Sequence, residues 1–207
     1  MNILLINGSP HSRGCTHTAL AVVAEQLEKH GLGTEIHHIG TQAIRGCIAC
    51  DKCEKTGYCV FEDDSVNAVI DKLRAADGLV VGSPVYYAAP NGALCAFLDR
   101  LFYRKSAGYF FKPAAAVVSC RRGGASAAFD RLNKYFTINR MPVVSSQYWN
   151  AVHGNTPDEV RQDLEGLQIM RTLGNNMAWL VRCIDAGRKA GVNPPETEPW
   201  IPTNFIR

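Results

Sequence analysis

The chain is predicted to fold as a doubly wound α/β domain, a five-stranded parallel sheet with helices on both faces. Strand-like apolar runs alternate with helical patterns along its 207 residues, which gives five βα units in succession. The first run, residues 1–7, is apolar at nearly every position, which is typical of a parallel strand buried on both faces. The length is that of one domain of ordinary size.

The later elements follow from the same two patterns. Further strands are predicted at residues 34–39, 78–82 and 114–119, and a fifth begins at residues 143–145. Helices are predicted at residues 16–30, from Val66 after a cap at Asp63-Asp64-Ser65, and at 91–103, 125–138 and about 157–188. We expect the third strand to break sharply at Ser83-Pro84.

The last predicted helix has an apolar stripe that we expect to form core and dimer surface. Its members are Leu164, Leu167, Met170, Leu173, Met177, Leu180, Val181 and Ile184. A homodimer or homotetramer is therefore predicted. The tail, residues 193–207, holds four prolines and no periodicity, so it should be extended, with Trp200 or Phe205 as its anchors.

Composition excludes several classes of function. A net charge of +3 without a Lys/Arg tract does not indicate nucleic-acid binding. Apolar runs such as residues 114–118 are too short to span a membrane. The N-terminal run leads directly into a glycine turn and lacks a basic stretch, so we expect a core strand, not a signal peptide, and a cytoplasmic protein.

Four cysteines lie within thirteen residues, in the spacing C-x2-C-x2-C-x5-C. Three thiols at x2 intervals let one short turn direct its sulfurs at a common centre, the arrangement that holds iron–sulfur clusters. A zinc site, disulfides and free or redox-active thiols remain open as alternatives. The candidate metal ligands are Cys47, Cys50, Cys53 and Cys59.

Ligands of a doubly wound sheet bind beyond the carboxyl ends of its strands, which selects three loops. The loop after the first strand, residues 8–16, leads into a helix whose free N–H groups favour an anion. Cys15 stands where a P-loop has Lys, and the loop does not read G-x-G-x-x-G. Its hydroxyl and backbone donors therefore predict a monophosphate site.

The other two loops add the features of a planar ring site. Residues 83–92 contain two prolines and the adjacent Tyr86 and Tyr87, which suit the face or edge of a planar heterocycle. Residues 119–124 offer backbone donors at a helix start together with Arg121 and Arg122. Each loop alone would also fit an ordinary exposed turn. Phosphate, planar ring and polar ring edge together describe flavin mononucleotide (FMN).

The motifs GSPxxxGxT, SPVYY and RRGG in these loops resemble those of the flavodoxin-like NADPH-dependent FMN reductase superfamily. The cysteine segment, followed by CVFEDD, looks like its iron–sulfur flavoprotein branch. The resemblance covers about residues 1–180 and implies a flavodoxin-like sheet of strand order 2-1-3-4-5. The implied domain spans residues 1–192, with a cysteine-rich insert at 46–60 and an extended tail at 193–207.

The resemblance also implies site residues, although no catalytic side chain is assigned. For FMN these are Ser9, Ser12, Gly14, Cys15 and Thr16 at the phosphate, Pro84, Val85, Tyr86 and Tyr87 at the ring, and Ser119, Arg122, Gly123 and Gly124 at its polar edge. For a [4Fe–4S] cluster they are Cys47, Cys50, Cys53 and Cys59. Two positions depart from the family pattern, since His11 replaces a common Arg and Cys15 a common Asn or Ser. Arg13 or His17 is expected to supply the missing cation.

The implied activity is that of an FMN-dependent oxidoreductase. Its cluster would pass single electrons between a ferredoxin-like donor and FMN, and onward to an acceptor such as a quinone or dioxygen. One alternative is a cluster-free reductase that uses NAD(P)H as co-substrate. Another is a non-enzymatic, flavin-binding electron carrier or redox sensor, which the charge of +3 disfavours because flavodoxins tend to be strongly acidic.

Overall fold

The computed structural model describes residues 1–103, 108–199, 201 and 203. Its strands are β1 (Asn2–Asn7), β2 (Gly33–His38), β3 (Gly78–Tyr86), β4 (Ala89–Pro90), β5 (Ala114–Cys120) and β6 (Ala151–His153). Five of them run parallel in the order β2-β1-β3-β5-β6, and β4 pairs antiparallel with the end of β3. With that two-residue strand set aside, the order is the predicted 2-1-3-4-5, and the predicted fold class is confirmed.

Helices cover both faces of the sheet. They are α1 (Cys15–Lys29), α2 (Lys52–Thr56), α3 (Val66–Ala75), α4 (Gly92–Phe102), α5 (Ala125–Ile138), α6 (Pro157–Gln162) and α7 (Leu164–Lys189). Alternate residues of β1 divide between two cores: Ile3 and Leu5 pack with α1 and α7, whereas Leu4 and Ile6 pack with α3, α4 and α5. Each such fully buried aliphatic side chain stabilises the fold by about 1.5–3 kcal/mol.

The third strand continues through Ser83-Pro84, so the predicted break is wrong. β1 ends opposite Gly82, and beyond that point β3 keeps β5 as its parallel neighbour, with Pro84 opposite Ser119. Because the strand has lost one neighbour there, the missing N–H of proline costs no ladder bond on that side.

The fifth parallel strand is β6, and the predicted start at residues 143–145 is wrong. Val143 makes only an isolated bridge with Ala114. The chain then passes Asn150, whose buried side chain donates to the carbonyl of Ala116 at 3.0 Å. Only after this anchor does β6 pair in register with the end of β5.

The predicted long helix is two helices, α6 and α7, separated at Asp163. Asp163 leaves the helical conformation, with φ −76° and ψ 80°, and its carboxylate accepts from Gly166 N at 2.9 Å as the cap of α7. A short acidic side chain that bonds nearby backbone competes in this way with a continuous helix.

Most of the predicted apolar stripe is intramolecular core. Met170, Leu173, Met177 and Val181 are buried in the cluster that α7 shares with α1, whereas Leu164 is 76% exposed. The buried part of the stripe is therefore not the dimer surface that we predicted.

Within the described residues, no helix combines the length and the apolarity needed to cross a bilayer. Residues 193–199 contain neither helix nor strand. Trp200 and Phe205, the predicted anchors of the tail, lie outside the described residues.

Candidate functional site

The three predicted loops meet at the carboxyl edge of the sheet. The buried side chain of Asn91 donates to the carbonyl of Gly8 at 2.7 Å, which ties the second loop to the first. Gly124 has φ +87°, and a Cβ there would lie 2.8 Å from the Cα of Ala88, so the third loop packs directly on the second. Glycine is required at this contact both by its conformation and by the lack of space.

The first loop is held in shape from within. The side chain of Asn7 accepts from Ser9 N at 3.1 Å and donates to the carbonyl of Ser12 at 3.3 Å. The Ser9 hydroxyl is buried and accepts from His11 N at 3.1 Å, whereas Ser12 is exposed. Helix α1 then begins at Cys15 after Gly14, which gives it no side-chain cap. Its first amides therefore have no side-chain cap, and the anion site predicted there stays a prediction.

Two predicted residues with different roles contact each other. The hydroxyls of Thr16 and Ser119 lie 2.8 Å apart, and both side chains are buried. Thr16 was expected at the phosphate and Ser119 at the ring edge. Their hydrogen bond ties the start of α1, after the first loop, to the start of the third loop.

Cys15 is a protonated thiol at neutral pH. Burial, followed by the charge of Glu159, raises its pKa, and its Sγ contacts the carbonyl of Gly154 at 3.7 Å. It therefore packs the loop against the segment that follows β6.

Two histidines, His17 of α1 and His38 of β2, lie near the first loop, which itself carries Arg13. His38 donates from Nε2 to the carbonyl of Ser9 at 2.8 Å. Burial lowers the pKa of His17, and the nearby charges of Arg13 and His38 lower it further. Because His17 is neutral at pH 7, Arg13 is the fixed positive charge on this side of the loop.

The second loop carries its tyrosines on a tight turn. Pro84 and Val85 are half-buried, whereas Tyr86 and Tyr87 are exposed. Tyr87 and Ala88 adopt positive φ values of 51° and 58°, a conformation that non-glycine residues rarely adopt outside tight turns. The turn leaves the ring of Tyr87 fully in solvent, free to contact a planar ligand.

A cavity of about 470 Å³ adjoins the third loop. Its lining includes Arg122, Gly123 and Gly124 of the third loop together with Tyr148 and Trp149. The two aromatic rings lie 5.0 Å apart between centroids, and both are exposed. Sequence reasoning missed these aromatics, because they belong to the connection that was taken for the fifth strand; the adjacent pair Tyr148-Trp149 was the available signal.

The four cysteines of the segment line one pocket. Cys47, Cys50, Cys53 and Cys59 all border it, together with Arg100 and Tyr103. Burial raises the pKa of Cys53, and the nearby Cys47, Cys59 and Cys50 raise it further. Ala49 and Asp51 have positive φ, and these turns return the chain on itself between the cysteines.

Among the residues that the structure describes, no group of three His, Cys, Asp or Glu is close enough to hold one metal ion. The donor set, four cysteines around one space, is the one that [4Fe–4S] clusters use.

The fourth cysteine is held in place from α3. The amide of Asn67 accepts from Cys59 N at 2.8 Å and donates to the carbonyl of Cys59 at 3.1 Å. Cys59 therefore keeps its position whatever the exposed Cys47 and Cys50 do.

Comparisons with known proteins identify the family of the chain and support its fold. Residues 1–156 match the family described as NADPH-dependent FMN reductase. A protein named iron–sulfur flavoprotein from Methanocaldococcus jannaschii is 29% identical over 196 residues, covering 89% of this chain and 99% of its own. An iron–sulfur flavoprotein from Archaeoglobus fulgidus is 36% identical over 149 residues, covering 70% of this chain and 73% of its own. A solved structure described as the flavodoxin, WrbA-like protein from Agrobacterium tumefaciens is similar to this chain with a TM-score of 0.62 at 18% identity. The match covers 88% of this chain and 96% of the other.

Proposed function

The chain belongs to the NADPH-dependent FMN reductase family and is an FMN-dependent oxidoreductase, and from this premise we propose that it is an iron–sulfur flavoprotein. The observation that carries the proposal is the common pocket of Cys47, Cys50, Cys53 and Cys59. Relatives with the name iron–sulfur flavoprotein support it, because this chain matches two of them over most of its length.

The cleft between the three loops fits FMN because of the hydrogen-bond donors that it offers. The uncapped start of α1 and the Ser9 hydroxyl suit a phosphate, with Arg13 as the nearby cation. We assign Ser9, Ser12, Gly14, Cys15 and Thr16 to this end of the ligand. Pro84, Val85, Tyr86 and Tyr87 are assigned to the ring, and Ser119, Arg122, Gly123 and Gly124 to its polar edge.

The cysteine pocket fits a cluster for a different reason. Four thiols meet there, two of them partly buried, and Asn67 fixes the backbone of Cys59. Cluster ligation also explains why exposed Cys47 and Cys50 border the same space as the partly buried pair.

When bound, FMN supplies hydride or electron chemistry and the cluster supplies single-electron transfer. The chain's own residues bind the two groups and hold them in a fixed orientation. The three loops, tied together by Asn91 and Gly124, hold the flavin cleft in one shape. Cys53 and Cys59 are the less exposed of the four thiols that border the cysteine pocket.

Several finer features belong to the same proposal. The electron donor is a ferredoxin-like protein, and the acceptor is a small molecule such as a quinone or dioxygen. A cluster held partly by exposed thiolates needs reducing surroundings, which is the reason for proposing the cytoplasm. The functional form is a homodimer or homotetramer.

The test is a visible spectrum with iron and sulfide analysis on anaerobically purified protein. Flavin bands, a broad visible shoulder and about four irons per chain would support the proposal. Flavin bands without iron would contradict it. They would instead favour direct reduction of FMN by NAD(P)H, with the four cysteines as ordinary thiols.

A further inference from the structure

Arg100 is a buried cation at the edge of the cysteine pocket. It lies on α4, is 3% exposed, and reaches across to the segment that carries the cysteines. Its Nε donates to Cys59 Sγ at 3.1 Å. The two terminal nitrogens bind both oxygens of buried Asp64 and also donate to the carbonyls of Arg45 and Phe61, each at 3.3 Å.

All five N–H donors of the guanidinium are therefore used, and one of them is committed to a sulfur. The ion pair with Asp64 alone would not require this, because the terminal nitrogens already satisfy the carboxylate. The planar fork that binds Asp64 fixes the direction of Nε, and that direction is toward Cys59.

We propose that Arg100 is a positioning residue for the cluster: its Nε–H fixes the Cys59 sulfur and raises the reduction potential of the cluster bound there. The inference rests on the proposed function. Reduction adds one electron from the external donor, and the added negative charge falls partly on the ligand sulfurs. A donor to one of these sulfurs therefore stabilises the reduced state more than the oxidised state.

The test compares Arg100→Lys with wild type in the full-length, anaerobically purified protein. Lysine keeps the positive charge but cannot place a donor on Cys59 while it binds both oxygens of Asp64. The midpoint potential is measured by titration with dithionite, followed by visible absorbance, and iron and sulfide are counted in each sample. We expect a shift to more negative potential that corresponds to at least a tenfold change in the reduction equilibrium, about 59 mV for one electron.

The matched control is Arg74→Lys. Arg74 contacts the same segment, through the carbonyl of Gly57 at 2.9 Å and the ring of Tyr58 at 4.9 Å, instead of through a sulfur. We expect its cluster potential to stay at the wild-type value. An equal shift in both variants would overturn the proposal, because it would trace the effect to general packing of the segment.

A second variant covers the case in which Arg100→Lys does not fold. Arg100→Leu combined with Asp64→Leu removes both buried charges, which leaves no unpaired carboxylate and is often tolerated. A potential equal to wild type in either folded variant overturns the proposal. Loss of iron from both variants, with native circular dichroism and bound FMN, supports the role in fixing Cys59. Wild-type protein without iron contradicts the proposed function itself, a result that the iron count separates from the other outcomes.

Discussion

The four cysteines of the cysteine segment differ in how deeply their side chains are buried. Cys53 is partly buried and borders the same pocket as the other three cysteines, whereas Cys47 and Cys50 are exposed. We expect Cys53→Ser to remove the visible shoulder and most of the iron while FMN stays bound, because a hydroxyl is a poor replacement for a thiolate at iron. The spectrum and the iron content of the purified variant measure this.

The matched control for that change is Cys183→Ser on α7, an exposed cysteine outside the segment. It should keep full iron. If Cys53→Ser loses FMN as well as iron, the segment is a folding element and not an independent cluster site.

The phosphate end of the cleft gives a second residue-scale prediction. Ser9→Ala combined with Thr16→Ala should weaken FMN binding by about 1–3 kcal/mol, through lost donors and an unpaired Ser119 hydroxyl. Fluorescence titration of the apoprotein with FMN measures the affinity. Thr18→Ala is the control, because its hydroxyl is committed to the carbonyl of Gly14 at 3.1 Å. Equal affinity in the double variant and the control would place the phosphate elsewhere.

At the scale of elements, the residue that caps α4 also joins two loops. Asn91 caps the helix by accepting from Ala93 N at 3.0 Å, and its amide donates to the carbonyl of Gly8. We expect Asn91→Ala to lower the free energy of unfolding by about 2–3 kcal/mol, from a lost cap and an unsatisfied buried carbonyl. Urea denaturation of the apoprotein measures the loss, and FMN affinity should fall with it.

The appropriate control is a helix-capping residue that makes no second hydrogen bond to another loop. Thr156 caps α6 by accepting from Glu159 N at 3.2 Å, and its side chain is exposed. Thr156→Ala should cost only about 1 kcal/mol. Equal losses in the two variants would mean that the bond from Asn91 to Gly8 contributes nothing.

The elements that the sequence predicts well are those with local signals. Helix α5 was predicted at its observed bounds, because apolar spacing after a glycine pair determines it. β6 was misplaced, because the side chain of Asn150, and not a longer apolar run, decides where the chain joins the sheet. The division at Asp163 was missed although D-x-x-G is a short capping pattern, since the apolar period runs through it.

Sequence-based prediction of the candidate site is limited in the same way as prediction of the elements, because it depends on local signals. Loop residues could be assigned from their motifs, because each motif carries its own chemistry. The bond between Thr16 and Ser119 and the contact between Arg100 and Cys59 could not, because they join residues far apart in sequence. Such contacts depend on how helices pack, and no local pattern encodes that.

At the scale of the whole molecule, the two edges of the open sheet differ, because one of them ends in a very short strand. β6 is the last strand of the order and has three residues. Tyr148 and Trp149 precede it, and Leu164 follows at the start of α7; all three are exposed. Exposed aromatics beside a sheet edge are typical of a surface that another protein covers.

We therefore expect the homo-oligomer to form through this edge. Sedimentation equilibrium should give a mass that is a multiple of the 22.7 kDa chain. Trp149→Asp, at a side chain that is 56% exposed, should shift the mass to that of one chain, because a carboxylate buried in an interface is left unpaired. Trp179→Asp is the control, since Trp179 is 67% exposed on the same helix as Leu164 but lies several turns away. If Trp179→Asp dissociates the protein and Trp149→Asp does not, the interface lies along α7, and the aromatics beside β6 face the cavity alone.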